Sequence, residues 1–289
     1  MRSWRTSALA SWPRVTDANA ALVRELVDAG LNRREVRWLV EEFLGGGNVE
    51  AAGALRVAAK RRLDGEPLQY IIGHWPFRSL DLDLDGRVLI PRPETEELVT
   101  VALGELARRG LVAPIIVDLG CGSGAIGLSL LQELRERGLT ASVVLVDASL
   151  DALAVARRNA RKHSLEAVSF VHSTWFESLD PSLRGHVDLL VANPPYVSER
   201  EFAQLDAVLR YEPRGAIVAP DDGGVAGFGD LRIIIHEALA WLAPGGLLVC
   251  EHADTHRGAV LDAATAAGFG EALDLDDATG RPRVLVASR

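Results

Sequence analysis

Apolar positions in the first 63 residues recur at intervals of three and four. Leu22, Val23, Leu26 and Val27 make one stripe, and Gly30 stands where that helix would stop. A helix turns once in 3.6 residues, so such a stripe is one buried face. Asn32 and Glu35 have capping-box spacing ahead of Val36, Leu39, Val40 and Phe43, with Gly45, Gly46 and Gly47 as terminators. Residues 51–63 supply a third helix. The pattern predicts a small helical domain over residues 1–68.

From 69 to 90 the period drops to two. Leu80-Asp81-Leu82-Asp83-Leu84-Asp85 alternates apolar and acidic side chains before Gly86, as a strand with one wet face does. A β-hairpin linker is expected over residues 69–96, with Asp81, Asp83 and Asp85 facing water rather than a metal. Beyond position 97, helical stretches alternate with short apolar runs: Ile115-Ile116-Val117, Val143-Val144-Leu145-Val146, Val168-Ser169-Phe170-Val171, Val187-Asp188-Leu189-Leu190-Val191 and Leu247-Leu248-Val249-Cys250. Parallel neighbours need a crossover helix, so this alternation predicts an α/β domain over residues 97–289 with a mostly parallel, doubly wound sheet. Ligands of such domains gather at the carboxyl ends of the strands.

Composition narrows the class. The chain has 289 residues, 48% hydrophobic and 25% charged, and it lacks the run of about 18 apolar residues that a membrane span needs. A net charge of −9 is the wrong sign for gripping many phosphates. No direct nucleic-acid contact is therefore expected, and the basic run Arg56, Lys60, Arg61 and Arg62 reads as a solvated helix face. Cys121 and Cys250 have neither disulfide nor zinc spacing. No signal-like apolar stretch precedes Pro13, so a cytoplasmic, metal-free protein is expected.

The first apolar run of the α/β region passes into Asp118-Leu119-Gly120-Cys121-Gly122-Ser123-Gly124-Ala125 and then a helical stretch. Glycines at alternate positions permit a sharp turn and leave room for a ligand against main-chain N–H groups at a helix N-terminus. Gly120, Gly122 and Ala125 also satisfy the dinucleotide-binding pattern, and Asp147, ending the second strand, suits the ribose of either kind of adenosine ligand. Asp118 helps to separate the two: an acid there can orient the loop or meet the ammonium of S-adenosylmethionine, whereas it would repel a pyrophosphate. Trp175, after the third strand, is placed to flank an adenine ring.

Asn193-Pro194-Pro195-Tyr196 follows the fourth strand directly. Two prolines set two φ angles and donate no N–H, leaving carbonyls free to accept. The Asn193 side-chain oxygen and the Pro194 carbonyl can together hold both N–H bonds of a planar NH2 group and aim its lone pair at a methyl donor, with Tyr196 stacking on the planar face.

The chain resembles a known family, the glutamine methyltransferases of peptide-chain release factors (the PrmC or HemK family). The likeness is carried by Gly65-Glu66-Pro67-Leu68-Gln69-Tyr70-Ile71 with Gly73 and Phe77, Leu89-Ile90-Pro91-Arg92-Pro93-Glu94-Thr95-Glu96, the glycine loop, Asn193-Pro194-Pro195-Tyr196-Val197, Tyr211-Glu212-Pro213-Arg214, Pro244-Gly245-Gly246 and Glu251-His252. Asn-Pro-Pro-Tyr is shared with adenine-N6 methyltransferases, so an enzyme acting on adenine or guanine of nucleic acid is the alternative. The Ile90 to Glu96 stretch is more specific to the glutamine enzymes.

The resemblance implies a Rossmann-like class I methyltransferase with a seven-stranded sheet, acting on the glutamine of a Gly-Gly-Gln loop that the N-terminal helical domain helps recognise. It implies an S-adenosylmethionine site of Asp118, Gly120, Cys121, Gly122, Ser123, Gly124, Asp147, Trp175 and Asn193, and a target amide held by Asn193, Pro194, Pro195 and Tyr196. A monomer is expected. The resemblance also implies that Pro91 to Glu94 line the entrance; Arg92 and Glu94 alternatively read as an interdomain ion pair or a helix-start charge. Thr174, where relatives often carry an acid, and residues 198–206 depart from the family pattern.

Overall fold

Among the residues that this computed structural model describes, 17–44 and 51–289, the N-terminal segment holds α1 (Asp17–Asp28), α2 (Arg33–Leu44), α3 (Ala51–Leu63) and the short α4 (Leu68–Ile72). Leu22, Leu26, Val36, Leu39, Val40, Leu55, Leu68 and Ile71 close into one core. Gly30 takes φ +108° after α1, where Leu31 N donates back to the Leu26 carbonyl. Asn32 caps α2: its Oδ1 accepts from Arg34 N at 2.8 Å, and Glu35 Oε2 accepts from Asn32 N at 3.4 Å. The glycine run at 45–47 lies outside the described residues. The basic run of α3 is ion-paired, Arg56 with Glu25, Lys60 with Asp64, Arg61 with Glu66 and Arg62 with Glu35. This compact unit ends at His74, and a second spans Trp75–Arg289.

The period-two stretch is shorter than its pattern suggests. Residues 68–72 are helical, and the hairpin is confined to β1 (His74–Phe77) and β2 (Leu80–Asp83), joined through Arg78 at φ +51°. Its acids do more than face water. Lys162 Nζ reaches Asp81 at 2.9 Å and Asp83 at 2.7 Å, and Arg158 reaches Asp83 at 2.9 Å, so the acidic face is neutralised by one helix.

That helix belongs to the α/β unit, which continues with α5 (Thr95–Arg108), β3 (Ile115–Leu119), α6 (Ala125–Glu136), β4 (Ser142–Asp147), α7 (Leu150–Lys162), β5 (Val168–His172), β6 (Val187–Ala192), α8 (Glu199–Phe202), α9 (Gly229–Ala238), β7 (Leu242–Glu251), α10 (Arg257–Ala267), β8 (Glu271–Asp276) and β9 (Pro282–Ser288). The strands lie in the order β5-β4-β3-β6-β7-β9-β8. The first five of that order run parallel, and β9 pairs antiparallel with both β7 and β8. The sequence pattern located the five parallel strands but not the antiparallel pair, of which β8 is a largely exposed edge while Val284 to Ala287 of β9 are buried.

The parallel runs are almost wholly apolar because both faces are covered. Val117, Leu190 and Leu248 pack with Phe228, Ile235 and Trp241 on one side, while Ile116, Leu145, Leu189 and Leu247 are equally buried. Gly127 is why α6 sits so close: a Cβ there would meet Leu145 Cδ2 at 2.4 Å and Val143 Cγ1 at 3.1 Å. The sheet order reverses around β3, whose neighbours are β4 and β6, and that reversal opens a crevice at the carboxyl ends.

Candidate active site

Strand register brings three of the expected residues together. Leu119 pairs with Val146 on one side and with Ala192 on the other. Gly120, Asp147 and Asn193 are the next residues along the chain, so they lie side by side at the carboxyl ends of β3, β4 and β6. His172 pairs with Asp147, which carries the segment containing Trp175 to the same end of the sheet.

The glycine loop is shaped by its own main chain. Gly120, Gly122 and Gly124 all take positive φ, +71°, +53° and +82°, so each position favours glycine. The amides of Gly120 and Cys121 both donate to the Val146 carbonyl at 2.9 Å, tying the loop to β4. Asp147 completes the turn: Oδ2 accepts from Gly122 N at 2.9 Å and Oδ1 from Ser149 N at 2.8 Å. Both oxygens keep a lone pair for a further donor. Nothing lies within 4 Å of where a Gly122 side chain would begin, so open space adjoins the Asp147 carboxylate and the start of α6. A ribose with an attached cationic chain fits that donor and acceptor set. Cys121 and Ser123 are buried, and burial holds the Cys121 thiol well above its ordinary range.

Asp118 turns inward toward the first turn of α6. The side chain is fully buried, Oδ2 accepts from Gly127 N at 2.9 Å, and Oδ1 has no partner. Burial raises its pKa to about 7, with the nearby Asp147 charge adding to the effect. The folded chain thus holds a proton that the unfolded chain has released, between the ordinary carboxylate range and neutrality. Stability contributed at low pH is lost as pH rises through that interval, by at most roughly 4 kcal/mol. Asp118→Asn removes the titration, so the ligand-free variant should gain several degrees of melting temperature on the parent between about pH 5 and about pH 8. Parallel melting curves at both pH values would sink this account.

Trp175 adopts φ +47°, a strained setting for a large side chain. Its ring covers Gly120, whose Cβ would stand 3.3 Å from Trp175 Cζ3, and its Nε1 donates to Asp230 Oδ1 at 3.1 Å. Asp230 and Asn159 carried no signal in the sequence. Asn159, fully buried on α7, donates through Nδ2 to the Ser123 carbonyl at 2.9 Å and accepts from Asp83 N at 2.7 Å. It braces the glycine loop against the hairpin.

Residues 193–196 leave β6 without regular structure, and Val197 then bridges to Val218. Asn193 Nδ2 donates to Thr95 Oγ1 at 3.0 Å, whereas Asn193 Oδ1 and the Pro194 carbonyl have no partner among the described residues. The Tyr196 hydroxyl donates to Glu251 Oε1 at 3.1 Å, and burial beside that carboxylate pushes its pKa up. Arg92 proves to pair with Glu212, which also accepts from Ile90 N at 3.0 Å, so this acid fastens the segment leading to Thr95. Glu94 precedes α5 without a side-chain capping bond.

An α/β sheet of this order with a glycine cradle, an acid ending the second parallel strand and an Asn-Pro-Pro-Tyr exit defines a methyltransferase of the class I-like fold, with a mostly parallel sheet and flanking helices. The methyltransferase small domain model matches residues 102–210. A 16S rRNA methyltransferase of T. Thermophilus, solved with AdoMet and guanosine, shares the fold at TM-score 0.51 and 21% identity over 75% of this chain and 49% of that one. More specifically, release factor glutamine methyltransferases of Burkholderia pseudomallei (41% identity over 77% of this chain and 76% of the relative) and Bifidobacterium longum (36% over 90% and 88%) align along most of the sequence. The same enzyme of Coxiella burnetii is 38% identical over 81% of this chain and 79% of its own. The chain belongs to the release factor glutamine methyltransferase family. No helix among the described residues is long and apolar enough to cross a membrane.

Proposed function

We propose that this protein transfers a methyl group from S-adenosyl-L-methionine to the side-chain amide nitrogen, N5, of the glutamine in the Gly-Gly-Gln motif of peptide-chain release factors. The observation that carries the reading is the strand register that sets Asn193, with a free Oδ1, beside Gly120 and Asp147. Family membership supports the substrate. It works as a single chain in the cytosol, where both cysteines stay free. The N-terminal helices, residues 1–68, recognise the release factor, and residues 69–96 link them to the catalytic domain at 97–289.

S-adenosylmethionine supplies a methyl group made electrophilic by its sulfonium. Gly120, Cys121, Gly122, Ser123 and Gly124 cradle it with main-chain atoms, Asp147 accepts from its ribose hydroxyls, and Trp175 flanks the adenine. Asp118 holds the loop through Gly127 N. An amide nitrogen is a poor nucleophile because its lone pair is delocalised. Asn193 Oδ1 and the Pro194 carbonyl accept its two N–H bonds, favour a more pyramidal nitrogen and stabilise the positive charge that develops there. Pro195 stiffens the loop, and Tyr196 backs the planar group. Such a site needs positioning and electrostatic preorganisation more than a base.

Labelled S-adenosylmethionine, incubated with the protein and either unmethylated release factor or adenine-containing DNA and RNA, tests this directly. One methyl on the loop glutamine is expected by peptide mass spectrometry. Label on nucleic acid alone would overturn the proposal.

A further inference from the structure

The Asn193 carboxamide ends in two groups of nearly equal size and opposite hydrogen-bonding character. Shape therefore does not settle which of them faces the crevice; the bonds made behind it do. Those bonds run through two residues far away in sequence. Thr95 Oγ1 lies 3.0 Å from Asn193 Nδ2 and 2.7 Å from Glu251 Oε2. Thr95 is 4% exposed and Glu251 1%, so water has little access to this chain of contacts. An ionised carboxylate accepts only, and Thr95 has a single O–H to give. Its proton is committed to Glu251, and only its lone pairs remain for Asn193, which must present NH2 to Thr95. Glu251 Oε1 also accepts a hydrogen bond from the Tyr196 hydroxyl at 3.1 Å, so one buried acid polarises both ends of the Asn-Pro-Pro-Tyr loop.

We infer that Thr95 and Glu251 are positioning residues that hold the Asn193 amide with its oxygen outward, so that the site takes a hydrogen-bond-donating NH2 group and disfavours an acceptor. The inference rests on the reading of Asn193 as the residue that holds the target nitrogen. Burial raises the Glu251 pKa, whereas the hydrogen bond from Thr95, the charge of Arg283 and the hydrogen bond from Tyr196 favour its ionised form and Glu94 opposes it.

Four variants are compared by transfer of labelled methyl to unmethylated release factor, with S-adenosylmethionine affinity measured calorimetrically as the check on folding. Thr95→Val, close in shape but without the hydroxyl, should lower kcat roughly 10- to 100-fold, with KM and cofactor affinity within about threefold of the parent. Thr95→Ser should recover at least about a third of the parent rate. In an Asn193→Ala background, Thr95→Val should cost nothing further, because its route to the substrate is already gone. An equal loss in both backgrounds, or parent activity in Thr95→Val with Asn193→Ala inactive, overturns the inference and leaves the site reading intact. Full activity of Asn193→Ala instead overturns the site reading beneath it. If Thr95→Val does not fold, Glu251→Gln replaces it: its amide allows Thr95 to reverse its proton, kcat should fall by a similar factor, and an unchanged kcat overturns the inference.

Discussion

Asn193→Ala should lower kcat for release-factor methylation by about 10³-fold, while affinity for S-adenosylmethionine falls by less than about tenfold. The asymmetry follows from what the side chain touches. Its Nδ2 is committed to Thr95 and its Oδ1 is free, so the atom that alanine removes toward the crevice is an acceptor. An acceptor for an amide N–H strengthens as positive charge grows on the nitrogen, and an interaction stronger in the transition state than in the ground state appears in kcat. The cofactor cradle is built from Gly120 and Gly122 in the loop after β3 and from Asp147 at the end of β4, and alanine leaves it in place. Single-turnover methyl transfer and a calorimetric titration separate the two effects. Full turnover by the alanine variant would remove the mechanism.

The second large effect is expected at a residue that contacts no substrate. Gly227 sits at φ +64°, and a Cβ there would stand 2.3 Å from the Tyr196 carbonyl oxygen, 2.8 Å from its carbon and 3.0 Å from Ser198 N. All three are backbone atoms of the loop that carries Asn193, and none can rotate aside. Gly227→Ala should destabilise the protein by about 3 kcal/mol, combining overpacking with the left-handed penalty, which is on the order of 10 °C in melting temperature for a unit of this size. Any folded fraction should show a larger fall in kcat than in cofactor affinity, because the displaced segment is the Tyr196 loop. Gly122→Ala is the contrast: its Cβ meets nothing within 4 Å, so stability should drop by only about 1 kcal/mol while cofactor affinity suffers. A reversed ranking in thermal melts would show that the Tyr196 contact is not the constraint described.

These two glycines show how legible the site is from residue order. Gly122 stands in a local signature, a glycine-rich turn between an apolar run and a helix, and its conformational demand can be read from its neighbours. Gly227 stands in no signature, because its need for glycine comes from a backbone 31 positions away that the chain folds back against. The same division holds for acids. Asp147 was legible as the end of a strand after a glycine loop. Glu251 appeared only within a matched dipeptide with no assignable task, since its partners Thr95 and Tyr196 lie 156 and 55 residues from it. Asp81 and Asp83 were read as solvent-facing, and the alternation was right; what it lacked was Lys162 and Arg158 on α7.

Residue order was sufficient for whatever depends on near neighbours: the helical stripes, the five parallel strands, the glycine cradle and the rigid proline exit. Each reflects a period or a φ preference set within a few residues, and the family likeness rests on those same stretches. Folding supplied the rest. It aligned Gly120, Asp147 and Asn193 through β3, β4 and β6, turned Asp118 inward to Gly127, and joined Thr95 and Glu251 behind Asn193. No spacing rule anticipates such contacts, because a hydrogen bond is specified by distance and direction in space, and residues a hundred positions apart acquire both only when the sheet between them has formed.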